Sequence, residues 1–170
     1  MRILPVLVAP LFALSACIPA PRQAPPPPAP VPPPAPMPSP APLAADWRDW
    51  PRTAGDWRYA RQPGGSAATF GTVVAAPLLT MRCDQATRQI SITRPGASTA
   101  PLTIRTSTTL RSLPVVLAQG VPTATLAASD PLLEAIGFSR GRFVIEQAGS
   151  PALVLPAWAE IGRVTEDCRG

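Results

Sequence analysis

Apolar and polar residues alternate in Leu79-Thr80-Met81-Arg82-Cys83 and again, after a polar connection, in Gln89-Ile90-Ser91-Ile92-Thr93. Leu102-Thr103-Ile104-Arg105-Thr106 repeats the pattern beyond a turn at Pro95-Gly96. Such alternation is typical of half-buried antiparallel strands, whose successive side chains point to opposite faces of a sheet. These segments therefore predict an antiparallel sheet with the polar residues 84–88 as a connection.

Further strands are predicted on both sides of this sheet. Gly64-Gly65 is typical of a hairpin turn between residues 57–61 and 67–70. Residues 106–109 are rich in hydroxyl groups and predict a solvent-facing strand or turn, and residues 148–151 predict a turn. The remaining strand candidates are residues 110–113, 123–127, 142–146 and 153–155.

Two helices are predicted in the second half of the chain. Ser129-Asp130-Pro131 is a helix start, because Asp130 can accept from free N–H groups and Pro131 fits the first helical position. Gly137 is the expected stop. A closing helix is predicted from Pro156 onward, with Trp158, Ile161, Val164 or Thr165, and Cys168 recurring at helical spacing on the face toward the core.

The combination of short strands and two helices predicts an α+β domain over residues 46–170. We expect a small antiparallel β-sandwich or open barrel with the C-terminal helix packed on it. The chain has three cysteines. If Cys17 is consumed by lipid, Cys83 and Cys168 form an even pair, which in an exported protein predicts a disulfide. The alternative is two separate buried thiols.

The first sixteen residues have the features of a secretory signal peptide: Arg2, an apolar run from Ile3 to Ala13, and small residues after it. The apolar run is shorter than the roughly 20 residues that span a bilayer. The segment ends in Leu14-Ser15-Ala16-Cys17, which resembles the lipobox of bacterial lipoproteins. The alternative is an ordinary signal peptide with a chance cysteine.

The resemblance to a lipobox implies cleavage before Cys17 and transfer of diacylglycerol to its sulfur. Ile18 follows, where lipoproteins retained in the inner membrane commonly carry Asp. We therefore expect a lipid-anchored protein on the periplasmic face of the outer membrane, with the membrane as a partner through the anchor.

Residues 17–45 read as a proline-rich linker. Fourteen of the twenty-four residues from Pro19 to Pro42 are proline. Proline fixes φ and removes a backbone donor, so a disordered stalk in extended polyproline II conformation is expected, reaching roughly 70 Å when fully extended. A spacer is the simplest role, and a ligand for a proline-binding groove is the alternative.

Composition narrows the chemistry. The chain has no histidine, and all fifteen basic residues are arginine. The commonest general base, a serine–lysine dyad and a zinc ligand set are thus missing, and no nucleotide-binding motif occurs. We predict no enzyme, no cofactor and no metal. The small positive charge of the domain could favour an anionic partner such as lipopolysaccharide phosphate, and the alternative is a mild excess in an arginine-rich composition. Because no arginine cluster is dense and a secreted, tethered protein meets little nucleic acid, no nucleic-acid partner is expected. Paired carboxylates at Glu160, with Glu166 and Asp167, are the remaining catalytic option.

Two segments are candidates for binding a partner. The entry segment contains Asp-Trp-Arg twice, and its tryptophans Trp47, Trp50 and Trp57 either stack on sugar rings or pack against the core. The segment Phe138 to Phe143 joins a helix to a strand and presents Ser139, Arg140 and Arg142 around a glycine. Loops on rigid supports often carry binding residues. The alternative for this segment is a connection whose arginines are merely solvated.

The motifs at residues 79–84, 130–133, 138–143 and 156–169 look like uncharacterised alphaproteobacterial envelope lipoproteins. More distantly, the cysteine placement is similar to small periplasmic accessory proteins of the type VI secretion system and to membrane-bound inhibitors of c-type lysozyme. That inhibitor family carries Ser-Gly-x-x-Tyr, which residues 139–143 approximate with an inserted Arg140 and a Phe for the Tyr.

The sequence predicts a non-enzymatic binding or accessory module for an envelope protein or a cell-wall component such as peptidoglycan. An inhibitor of a wall-degrading enzyme is the alternative that the resemblance implies. A carboxylate-dependent wall hydrolase is the third hypothesis.

Overall fold

The computed structural model describes residues 45–96 and 98–170. Cys17 and the proline-rich segment 19–42 lie outside the described residues. A short 3-10 helix, Trp47–Asp49, precedes the first strand. The strands are β1 (Asp56–Gln62), β2 (Gly65–Gly71), β3 (Leu79–Asp84), β4 (Gln89–Thr93), β5 (Leu102–Arg105), β6 (Leu110–Leu113), β7 (Val116–Ala118), β8 (Val121–Ala127), β9 (Phe143–Gln147) and β10 (Ser150–Leu155). The helices are α1 (Pro131–Gly137) and α2 (Ala159–Arg169).

The strands form two antiparallel sheets. The first has the order β1-β2-β3-β4-β8-β7 and the second the order β10-β9-β5-β6. Both sheets contribute to one core, in which Phe70 and Met81 of the first meet Ile104, Phe143 and Ile145 of the second. This arrangement confirms the predicted α+β fold of antiparallel strands with a C-terminal helix.

The predicted alternation matches the burial of the central strands. Leu79, Met81 and Cys83 are buried on β3, while the residues between them are partly or fully exposed. Ile90 and Ile92 of β4 follow the same rule and pair with Cys83 and Met81. The strands of this sheet are thus in register through their inward residues, as the alternation requires.

Helix α1 begins as predicted. The Asp130 carboxylate accepts a hydrogen bond from the Leu132 N–H at 2.8 Å and caps the helix, with Pro131 in the first position. Asp130 also accepts from both terminal nitrogens of Arg111, at 2.9 and 2.7 Å. The guanidinium and the capping bond together lower the pKa of Asp130, with the hydrogen bond to Arg111 as the largest cause.

The predicted start of the closing helix is wrong. Helix α2 begins at Ala159, three residues after Pro156, and Trp158 occupies the cap position with its side chain 41% exposed. In a helix that began at Pro156, the carbonyl of this residue would accept from the backbone N–H four residues later. It accepts instead from Trp57 Nε1 at 2.9 Å and from the Trp158 N–H at 3.1 Å. The stripe that faces the core is therefore Ile161, Val164, Thr165 and Cys168, without Trp158.

Cys83 and Cys168 lie within disulfide distance, with Cα atoms 5.4 Å apart and a sequence separation of 85 residues. Both are buried. The pairing joins the inward face of β3 to the last turn of α2 and confirms the predicted pair.

Three smaller expectations are corrected. Residues 150 and 151 belong to β10, so the turn that precedes it is limited to Ala148 and Gly149. Strand β7 was not predicted. Residues 106–109 form a turn, but Thr106 is buried because its hydroxyl accepts from the Thr108 and Thr109 N–H groups and donates to the Thr109 carbonyl.

Candidate functional site

The entry segment and the loop before β9, which sequence reasoning singled out separately, lie against each other. Arg142 donates from Nη1 to the carbonyl of Trp50 at 2.8 Å. Arg52 donates in return to the carbonyl of Gly141 at 3.5 Å. The Thr53 N–H and hydroxyl pair with the backbone of Val154. These contacts fix residues 50–53 across the β9–β10 edge of the second sheet.

The predicted loop residues have different environments. Ser139 is buried, its hydroxyl donates to the Arg142 carbonyl, and it accepts from the Ser107 N–H. The Ser139 side chain is thus used within the fold. Arg142 is half-buried by its contact with Trp50, whereas the side chain of Arg140 is exposed. Of the three, Arg140 presents its charge most openly to a partner.

The three tryptophans of the entry segment also differ. Trp57 is a core residue that contacts Phe70 and Phe143 at ring-centroid distances of 5.3 and 6.5 Å. Trp47 and Trp50 are half-buried. The Arg48 guanidinium lies 4.9 Å from the centroid of Trp47. Core packing therefore accounts for Trp57, and the ring of Trp50 forms part of a groove.

We call this groove the Trp50 groove. It has a volume of about 570 Å³ and lies beside the β9–β10 turn. Small residues form much of its surface, and the side chains that carry polar groups are Thr103, Glu146, Gln147 and Ser150. An aromatic ring with several hydroxyl, amide and carboxylate groups around it is a lining that suits a small polar ligand with an apolar face.

Gln147 is the most constrained of these side chains. Its residue is 5% exposed, and its Nε2 group donates to the carbonyls of Ser98 and Ala100, each at 2.8 Å. Both amide hydrogens are thereby used and the amide is held in one orientation. The carbonyl oxygen Oε1 has no hydrogen-bond partner among the described residues. Buried polar atoms in native proteins are nearly always satisfied, so this acceptor is an exception among the described residues.

Arg94 is a second buried polar residue, and it contacts β10 at Pro151, next to the groove residue Ser150. It is 6% exposed, and one terminal nitrogen donates to the carbonyl of Pro151 while Nη1 has no partner among the described residues. All ten acidic residues of the chain belong to the described part, and no ion pair there includes Arg94. Burial without a counter-charge lowers the pKa of Arg94.

Glu146 is the one carboxylate among the described residues that line the Trp50 groove. It forms an ion pair with Arg105 at 3.2 Å. Glycoside hydrolysis in most families requires two carboxyl groups on either side of the bond. The groove therefore has the groups for binding, and it lacks the second carboxylate that such chemistry uses.

The acids of α2 do not assemble a second site. Asp167 accepts a hydrogen bond from the Tyr59 hydroxyl at 2.5 Å, and this bond is the largest cause that lowers its pKa. Glu166 is exposed and Glu160 half-buried on the same helix. Among residues 45–96 and 98–170, no group of three acids or cysteines is placed to hold a metal ion.

A second groove of about 600 Å³ lies between α1 and α2. Two aromatic side chains border it: Phe138, which is 84% exposed, and Trp158. Sequence reasoning assigned Trp158 to the core and gave Phe138 no role of its own. The exposure of both follows from their positions, just after α1 and just before α2.

Neither Glu146 nor Gln147 was singled out from the sequence. A signal for Gln147 exists, because it stands two residues after Ile145 and four after Phe143 and so shares their inward face of β9. An amide on an inward strand position is buried and needs partners. The sequence does not indicate which loop provides the hydrogen-bond partners of this amide.

No family model, no curated protein and no solved structure matches this chain. Within the described part of the chain, none of the helices is both long and apolar enough to cross a bilayer.

Proposed function

We propose that this protein is a non-enzymatic, lipid-anchored binding module of the bacterial envelope, and that the Trp50 groove binds a sugar unit of the cell wall. The observation that carries the proposal is the meeting of an aromatic ring with the immobilised amide of Gln147 in one groove. The ring offers a flat apolar face, and the polar side chains around it offer hydrogen-bond acceptors and donors to a ligand.

An N-acetylated amino sugar fits these groups chemically. Its ring has an apolar C–H face for stacking on Trp50, and its acetamido N–H and hydroxyls are donors for the Glu146 carboxylate. Thr103 and Ser150 add hydroxyls that both donate and accept. The carboxylate of Glu146, which forms an ion pair with Arg105, is a further acceptor.

The N-terminal part of the chain supports an envelope location. The lipobox-like segment ending in Cys17 supplies the anchor, and acyl chains contribute roughly 0.8 kcal/mol for each buried CH₂. The proline-rich segment gives a reach of up to roughly 70 Å. An outer-membrane anchor on the periplasmic face, with this reach, gives the domain access to peptidoglycan.

Binding of soluble peptidoglycan disaccharide-peptide fragments by the full chain tests the proposal. In isothermal titration calorimetry we expect saturable binding that weakens at least tenfold in Trp50→Ala. Trp47→Ala is the matched control, because Trp47 lies three residues away, is half-buried as well, and does not line the groove. Gln147→Leu is expected to weaken binding further, because the leucine no longer holds the carbonyls of Ser98 and Ala100 beside the groove.

Two results would contradict the proposal. The first is equal affinity in the Trp50 and Trp47 variants, which would remove the groove from the interaction. The second is absence of binding to fragments by a wild-type chain that retains its disulfide and its near-ultraviolet circular dichroism. Release of reducing sugars from intact peptidoglycan by the wild-type chain would overturn the non-enzymatic part separately.

A further inference from the structure

One end of the first sheet carries most of the exposed apolar side chains of the described residues. The strand register defines this end. Phe70 pairs with Leu79, Thr80 with Thr93, and Thr93 in turn with Thr123. The β2–β3 loop and the β7–β8 turn therefore both project beyond the same row of pairs.

We call this region the apolar end. Its exposed members lie on the β2–β3 loop and the β7–β8 hairpin, and they are six of the nine large apolar side chains that the described residues expose: Val73, Val74, Leu78, Val116, Leu117 and Val121. Val74 is 70% exposed and Leu117 is 62% exposed. Contiguous exposed apolar surface on a soluble domain marks a contact site for a protein or a membrane.

The segments that form the apolar end contain no charged residue. Neither residues 71–81 nor residues 112–127 include an Asp, Glu or Arg. At the opposite end of the sheet, the β3–β4 turn contains Asp84 and Arg88. The Arg88 side chain there donates to the Arg169 carbonyl. Asp56 and Arg58 of β1 are charged residues close to the apolar end, but the two tips themselves carry no charge.

The layout of the apolar end suits a flat partner. The β2–β3 loop lies between the second and third strands of the sheet order, and the β7–β8 turn lies between the last two. At about 4.8 Å per strand spacing, the two apolar tips are roughly 14 Å apart. Two projecting tips at this separation can enter one flat apolar layer together, which an interfacial lipid region provides.

The route of the chain into the domain favours the same partner. Residues 1–44 precede the described domain, and the chain joins β1 at this end, where Asp56 pairs with Gly71. A Cβ built on Gly55 would lie 2.8 Å from the backbone carbon of Gly71, so the incoming chain passes directly beside the β2–β3 loop. Arg58 donates to the Gly71 carbonyl at 2.9 Å and places a cation at the margin of the apolar end.

We propose that the apolar end docks on a lipid surface, with the β2–β3 loop and the β7–β8 turn inserted at the level of the headgroups and upper acyl chains. This inference goes beyond the proposed function, because it concerns where the domain rests and not which ligand the Trp50 groove binds. The predicted anchor holds the chain at a membrane, and the length of the proline-rich segment permits the domain to reach that membrane as well as to extend from it.

A local label tests the proposal in the full chain reconstituted into vesicles of phosphatidylethanolamine and phosphatidylglycerol. A cysteine is placed at Leu117 and labelled with an environment-sensitive nitrobenzoxadiazole dye, with the wild-type chain as the labelling background. The matched position is Ala86, which is exposed on the β3–β4 turn at the opposite end of the sheet. The readout is local, so it does not depend on how residues 1–44 are held by the vesicle.

We expect the dye at position 117 to emit several-fold more strongly and further to the blue than the dye at position 86. We also expect strong quenching at position 117 alone by lipids that carry a nitroxide on the upper acyl chain. Val74→Glu places a charge on the other tip and is expected to abolish both effects at position 117, because one tip cannot hold the domain against the surface. Val74→Ser keeps a small side chain without the charge and is expected to have a weaker effect.

Equal emission and equal quenching at positions 117 and 86 would overturn the proposal. A blue shift at position 117 that grows with protein density and is insensitive to lipid nitroxide would overturn it in favour of contact with a second copy. A response that requires anionic lipid and disappears in high salt would overturn the apolar mechanism and leave arginine contacts as the cause. Each labelled variant is compared with the wild type by near-ultraviolet circular dichroism and by thiol titration of the native disulfide.

Discussion

Reducing the Cys83–Cys168 pair is expected to destabilise the domain strongly. The pair closes a loop of 85 residues. In the chain-entropy account, cross-linking a loop of this length removes unfolded-state entropy that corresponds to about 4.5 kcal/mol at 25 °C. For a domain of this size, that loss corresponds to a fall in Tm of roughly 15 °C. The predicted change is large because the bridge joins an early strand to the last helix.

Thermal unfolding followed by circular dichroism, with and without reductant, measures this change directly. Reduction removes no heavy atom from the core, so it tests mainly the loop contribution. The Cys83→Ala, Cys168→Ala double variant is the second arm, and it adds the loss of two buried sulfur atoms. A decrease in Tm of less than roughly 3 °C on complete reduction would refute the reasoning. It would mean that the unfolded chain gains little conformational freedom when the disulfide is reduced.

Three further predictions concern single residues. Asp130→Ala should lower the free energy of unfolding by about 1–2 kcal/mol in chemical denaturation, because the variant loses the cap of α1 and the partner of Arg111. Because folding lowers the pKa of Asp130, its contribution is complete above its unfolded pKa near 4 and is lost as the pH falls through the folded value. The difference between wild type and Asp130→Ala should therefore shrink in unfolding measurements at increasingly acid pH. Gly55→Ala should cost about 3 kcal/mol or more, since φ is +136° and the new Cβ would meet the backbone of Gly71. Gly64→Ala, with φ of +78° and open space around it, should cost only about 1 kcal/mol by the same measurement.

The first sheet was predictable because its signals are local. Alternation in residues 79–83 and 89–93 specifies two strands, and the short polar connection between them leaves antiparallel pairing as the simple arrangement. The start of α1 was predictable for the same reason, since Asp130 and Pro131 act on the backbone beside them. The start of α2 was not, because the carbonyl of Pro156 is used by Trp57, which is ninety-nine residues away in sequence.

The candidate site was predicted in part. Sequence reasoning selected Trp50 and Arg142 independently, and the structure brings them together through the bond from Arg142 to the Trp50 carbonyl. It did not select Gln147, whose partners Ser98 and Ala100 lie in an irregular loop without a periodic pattern. Ser139 was selected as a binding residue because its hydroxyl lies in a loop. In the structure this hydroxyl is hydrogen-bonded within the fold, to the Arg142 carbonyl and the Ser107 N–H.

The segment that leads into β1 also contributes a residue to the Trp50 groove. Residues 50–53 connect the N-terminal part of the chain to β1, and their backbone is held by Arg142 and by the exchange of hydrogen bonds between Thr53 and Val154. The ring of Trp50 completes the groove at that point. The guanidinium of Arg142 does not line the groove, but its bond to the Trp50 carbonyl helps to hold the residue whose ring does. The two loop arginines thus have separate roles: Arg142 positions the wall of the groove, while Arg140 remains exposed on the surface.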